Sequence, residues 1–86
     1  MVEDDRNKGI ASYRGGDFAQ SAKLLAEAAA ERKNDPELLY YLGQSYHKLK
    51  QSNECKDTLQ RALNLSLSPQ LTDEAKRALA DCSQGQ

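Results

Sequence analysis

Few side chains in this 86-residue chain are of a type and spacing that could do chemistry. His47 is the single histidine, and no carboxylate shares its helical face to orient the ring. It reads as a surface or groove residue rather than a catalytic base or a metal ligand. Cys55 and Cys82 have no CxxC or CxxH neighbour, so they make no recognisable metal site. Cys55 reads first as a small buried packing residue in a reduced chain, with an intrachain disulfide to Cys82 as the alternative. The acidic pairs Asp4-Asp5 and Asp73-Glu74 stand near helix starts, where the macrodipole accounts for them. Gly15-Gly16 lacks the preceding strand and the following lysine of a phosphate loop. The expectation is a chain that is not an enzyme and needs no metal or cofactor.

The balance of charge narrows the partners. Twelve basic and thirteen acidic side chains leave a net charge of −1, interspersed along the chain. No basic stripe of the kind that nucleic acid demands is present. No apolar run is long enough to span a membrane, and Met1-Val2-Glu3-Asp4-Asp5 has neither the positive end nor the apolar centre of a signal peptide. A cytoplasmic location is the default, or a periplasmic or other one if the chain is excised from a longer precursor. The length suits one small domain, monomeric or weakly homo-oligomeric.

The elements that position these residues are all helical. Asp35-Pro36 opens a helix with an N-cap followed by proline at the first helical position. Leu39, Leu42, Tyr46 and Leu49 continue it at three- and four-residue steps to about Lys50. Gly43 lies inside that stripe, which implies a second helix crossing too closely for a Cβ. A first helix spans about Asp4–Arg14 and stops at Gly15-Gly16, and Asp17, with Gln20 at the capping-box position, starts a second that runs to about Arg32. Phe18, Ser21, Ala22, Leu25, Ala28 and Ala29 form its small-and-apolar face. Gln51-Ser52-Asn53 is the turn before a fourth helix that reaches about Leu65, with Cys55, Leu59, Ala62 and Leu63 inward. Ser68-Pro69-Gln70-Leu71 repeats the pattern of Asp35-Pro36-Glu37-Leu38 and starts a fifth, with Leu71, Ala75, Ala78, Leu79 and Cys82 on one face and a frayed tail from Ser83 to Gln86.

Gly9 and Gly43 are 34 residues apart, and so are Leu25 and Leu59, Ala28 and Ala62, Arg14 and Lys48, and Ser21 and Cys55. With Leu39, Leu42-Gly43, Tyr46, Leu59 and Ala62 in one unit and Gly9, Gly16-Asp17-Phe18, Leu25 and Ala28 in the other, the chain resembles the tetratricopeptide repeat family over nearly its whole length. The resemblance implies an all-α, right-handed superhelix of five antiparallel helices in one domain. Its units are a repeat at about 2–35, a second at about 36–68 and a capping helix at about 69–83. It places Gly9 against Ser21, Gly43 against Cys55, and Ala28 and Ala62 against the first helix of the next unit. Three departures stand out. Asp5, Lys8 and Ser12 replace Leu39, Leu42 and Tyr46; Lys50-Gln51-Ser52 replaces Gly16-Asp17-Phe18; and proline comes late, opening the next helix.

In such a superhelix the first helices of the units line a concave groove. The resemblance therefore implies a protein–protein interaction module that takes a peptide or helix of another protein. The groove set is Arg6, Ile10, Tyr13 and Arg14 from the first helix, with Tyr40, Gln44, His47 and Lys48, and Glu37 beside them, from the third. The alternative is a structural or self-assembling module that pairs through the open first helix or belongs to a longer repeat array. A family subset clamps a C-terminal carboxylate, but here Ile10 and Tyr41 stand where that clamp wants asparagine, and Asp73 adds a negative charge nearby. A carboxylate clamp is not expected.

Overall fold

The structure, a computed structural model, describes residues 2–84, and side chains from residue 5 onward. It contains helices α1 (Val2–Arg14), α2 (Phe18–Glu31), α3 (Pro36–Lys48), α4 (Ser52–Leu63) and α5 (Pro69–Gln84). Successive helices pack on each other, and α3 also packs against both α1 and α5. The odd-numbered helices thus form one layer and α2 and α4 back it. Among the described residues there is no strand, which agrees with the helical periodicity.

Local chemistry sets the helix ends. Asp17 Oδ1 accepts from the Gln20 N–H at 3.2 Å, and Asp35 Oδ1 from the Leu38 N–H at 3.1 Å, so both are the N-caps their positions suggest. At the end of α1 the Gly16 N–H bonds Tyr13 O at 3.1 Å and the Asp17 N–H bonds Ser12 O at 2.9 Å. The Lys50 N–H bonds His47 O at 3.1 Å and the Gln51 N–H bonds Tyr46 O at 2.9 Å at the end of α3. Both are Schellman closures. The lysine turn is therefore the glycine turn remade, with Lys50 at φ 62° where Gly16 is at φ 90°. This reversal stops α3 at Lys48, two residues short of the expected end. Asn64 as C-cap, and Ser66 at φ 62°, likewise stop α4 at Leu63. The tail differs in the other direction, since Ser83 and Gln84 continue α5; Gly85 and Gln86 lie outside the described residues.

The glycine crossings are real, and their partner is one helical turn from the residue expected. A Cβ on Gly9 would come within 2.6 Å of the Leu25 side chain, and one on Gly43 within 2.5 Å of that of Leu59. These leucines, not Ser21 and Cys55, fill the space a side chain would need. Ser21 meets Gly9 in another way, its hydroxyl donating to the Gly9 carbonyl at 2.8 Å. Leu25, Leu38, Leu39 and Leu59 are fully buried, and Ala28 packs with Leu38 and Leu42 as Ala62 does with Ala75 and Ala78. Burial on α3 is wider than a single stripe, covering Leu38 through Tyr40 and Leu42 through Ser45, because helices cover it on more than one side. Tyr46 and Leu49, the last two residues of the expected stripe, are only half-buried.

Cys55 and Cys82 are disulfide-bonded, with Cα atoms 6.3 Å apart. This corrects the expectation of a reduced packing cysteine, and with it the ground for assuming a reducing compartment. The two residues share a cluster with Leu39, Leu59 and Ala75, so burial and bonding go together. α1 has few apolar anchors, as its polar residues predict. It is held by the Gly9 crossing, by buried Ile10 and by ion pairs from Arg6.

Candidate partner-binding groove

The 34-residue period carries the groove past α3 and onto α5. Tyr13, His47 and Asp81 form one column of equivalent positions, and Arg6, Tyr40 and Glu74 another. The structure brings members of both columns together. His47 Nε2 lies 3.7 Å from Asp81 Oδ2, and the Tyr40 hydroxyl donates to Glu74 Oε1 at 3.3 Å. A concavity of about 210 Å³ is lined by Tyr13, Gln44, His47 and Lys48 of the expected set, together with Glu74, Arg77, Ala78 and Asp81 of α5. Arg6, Ile10 and Arg14 do not reach it; they border a separate hollow of about 480 Å³ with Asn7, Ala11 and Glu37. α5 contributes to this concavity although the resemblance assigns it only a capping role. Carrying the 34-residue offset one step further, from Tyr40 to Glu74 and from His47 to Asp81, identifies it.

Three residues expected to face outward are buried. Tyr40 keeps 4% of its surface, Gln44 6% and Ile10 8%. Tyr40 belongs to the cluster that includes Ala75 and Ala78, so packing of α5 against α3 closes its flank. Burial, then the negative charge of Glu74, pushes the Tyr40 phenol up to about 12. Burial also raises Tyr13, again with Glu74 contributing.

The cations are placed differently from one another. Arg6 Nε sits 2.7 Å from Asp35 Oδ2, and its Nη2 2.6 Å from Glu37 Oε1. The Asp35 hydrogen bond, opposed by burial and supported by Glu37, raises the Arg6 pKa. Burial of Asp35 favours its neutral form, but the hydrogen bonds from Arg6 and the Leu38 N–H, with the charges of Arg6 and Arg32, outweigh it and hold that carboxyl below its usual range. Arg6 therefore ties α1 to the start of α3. Arg14 lies over the Tyr41 ring, 5.9 Å from its centroid, and Lys48 lies 6.0 Å from that of Phe18. Beneath them runs an edge-to-face series of rings, Phe18–Tyr13–Tyr41–Tyr40, with centroid separations of 5.5, 5.4 and 5.0 Å.

A family model for the tetratricopeptide repeat matches residues 13–82, most of the chain. The protein belongs to the tetratricopeptide repeat family. No curated protein matches it. The match leaves out most of α1, the helix in which Asp5, Lys8 and Ser12 stand in place of the apolar residues of α3. Tetratricopeptide repeats are typically non-enzymatic modules of protein–protein interaction. Among the described residues, no group of three or more His, Cys, Asp or Glu side chains is placed to hold a metal ion. No described helix is long and apolar enough to cross a membrane. Arg6, the cation nearest the position such a clamp would use, is engaged by Asp35 and Glu37.

Proposed function

We propose that this tetratricopeptide protein is a monomeric, non-enzymatic module that binds a segment of another protein along the concave face of α1, α3 and α5. The observation that carries the reading is the convergence of Tyr13, His47, Lys48, Glu74, Arg77 and Asp81 on one concavity from three helices. Tyr13 offers rigid contact area, while charges of both signs offer ends for hydrogen bonds and ion pairs to a peptide. Arg14, bordering the neighbouring hollow, extends the same face along α1. Self-assembly by continued helix pairing is disfavoured at α5, where Asp73 and Arg77 occupy the positions of Leu39 and Gly43. A helix cannot approach Arg77 as α4 approaches Gly43.

The test is selection of peptides from a displayed library on the wild-type domain, followed by measured affinities for a His47→Ala/Arg77→Ala variant of unchanged helicity. Weaker binding to the variant supports the groove. Equal affinities sink it, and concentration-dependent growth in light scattering returns the reading to self-assembly.

A further inference from the structure

Cys82 borders a second hollow, of about 270 Å³, whose other walls are His47, Lys50, Ser52 and Asp81. Its disulfide partner Cys55 is not among those walls and has no exposed surface, whereas Cys82 retains 3%. A thiolate opens a disulfide by attacking one of its two sulfurs, so access decides which cysteine is modified. Of the two cysteines, Cys82 is the one that borders a hollow.

The charges at this hollow suit an anionic nucleophile. Lys50 is exposed and fixed at its border by the left-handed turn that ends α3. α4 begins at Ser52, and its N-cap Gln51 makes no side-chain cap bond, so first-turn N–H groups leave a positive pole there. Among the described residues, Asp81 is the one carboxylate in the lining, and it lies 3.7 Å from His47 Nε2. His47 Nδ1 is buried without a hydrogen-bond partner.

We infer that this hollow admits a small carboxylate-bearing thiol and that Cys82 is a site of reversible S-thiolation. The incoming thiolate bonds to Cys82 Sγ, the Cys55–Cys82 bond breaks, and Cys55 departs as a thiolate that takes a proton from solvent. One disulfide is consumed and one is formed, so no external oxidant or reductant is needed. Cys55 sits among Leu39, Leu59 and Ala62, surroundings that disfavour a lasting thiolate. Exchange is therefore slow and reversible, unlike that of an oxidoreductase. Its consequence is mechanical: α5 loses its covalent tie to α4, and α5 supplies Glu74, Arg77 and Asp81 to the concave face.

The experiment incubates the oxidised protein with reduced glutathione, blocks free thiols by alkylation and maps the peptides by mass. The expected product carries glutathione on Cys82 and the alkyl group on Cys55, and its α5 amides exchange faster while those of α2 stay protected. Lys50→Glu slows the reaction with glutathione several-fold and that with uncharged 2-mercaptoethanol less. Glutathione on Cys55, equal labelling of both cysteines, labelling only in denaturant, or free thiols in the untreated protein would each overturn the assignment.

Discussion

Ser21 and Cys55 occupy equivalent positions, 34 residues apart, in α2 and α4, and each ties its helix to the following odd-numbered helix by a different bond. The Ser21 hydroxyl accepts from Ser45 of α3 at 2.9 Å and donates to the Gly9 carbonyl of α1 at 2.8 Å, so one buried side chain joins three helices. Cys55 makes the corresponding link to α5 through its disulfide with Cys82. The first junction is thus a hydrogen-bonded chain and the second a covalent one. A small residue is required at both, because α1 and α3 cross their partners at a glycine one turn away.

Removing the covalent link should loosen one end of the protein. The disulfide spans 27 residues of sequence, for which the loss of loop entropy in the unfolded chain is worth about 3.5 kcal/mol. Urea unfolding of Cys82→Ser, or of the reduced wild type, should show a loss of that order, and hydrogen exchange should place the earliest opening in α5. Unchanged stability would mean that the native contacts of α5 suffice alone.

Gly43→Leu should destabilise the fold by about 1–3 kcal/mol through overpacking against Leu59. The coupling is specific: combining Gly43→Ala with Leu59→Ala should cost less than the sum of the single changes, because the truncated leucine no longer fills the space the new Cβ enters. Additive losses in thermal or urea unfolding would contradict the close crossing.

Lys50 holds a left-handed conformation that glycine adopts freely. Lys50→Gly should raise stability by about 1 kcal/mol, the cost of that conformation for a residue with a Cβ, reduced somewhat by the greater freedom of glycine in the unfolded chain. A lower urea midpoint for the variant would show that the lysine side chain contributes more than its backbone conformation costs.

Asp35 and Tyr40 should contribute at opposite ends of the pH scale. Asp35 is held below the usual carboxylate range, so its contribution is present above about pH 4 and is lost as pH falls through its folded-state value. Asp35→Asn should lower stability at neutral pH and flatten the decline in acid, measured as urea midpoints against pH. Tyr40 is raised to about 12, so its contribution is present below the ordinary value near 10 and is lost as pH rises toward 12. Tyr40→Phe should remove the latest component of the tyrosinate absorbance titration and soften the alkaline loss of stability.

Much of this architecture is readable residue by residue. Asp17 and Asp35 announce helix starts, Gly15-Gly16 announces an end, and the 34-residue recurrence of Gly9 and Leu25 as Gly43 and Leu59 announces paired helices crossing closely. These signals are local, or repeat local ones, because capping bonds, helical periodicity and the absence of a Cβ act within a turn or between adjacent helices. The candidate surface depends on a longer-range event, the docking of α5 across α3 and α4. That docking buries Tyr40 against Ala75 and Ala78, brings Asp81 to His47 and Glu74 to Tyr40, and sets Cys82 beside Cys55. The charge on Arg6 was legible, but its engagement with Asp35 and Glu37 was not, since it depends on how α1 is set against α3. By itself the sequence determined which helices form, their ends to within a turn, and which of them touch as neighbours. Only the tertiary structure decided which face of α3 stays open, because burial there is imposed by a helix some thirty residues further along the chain.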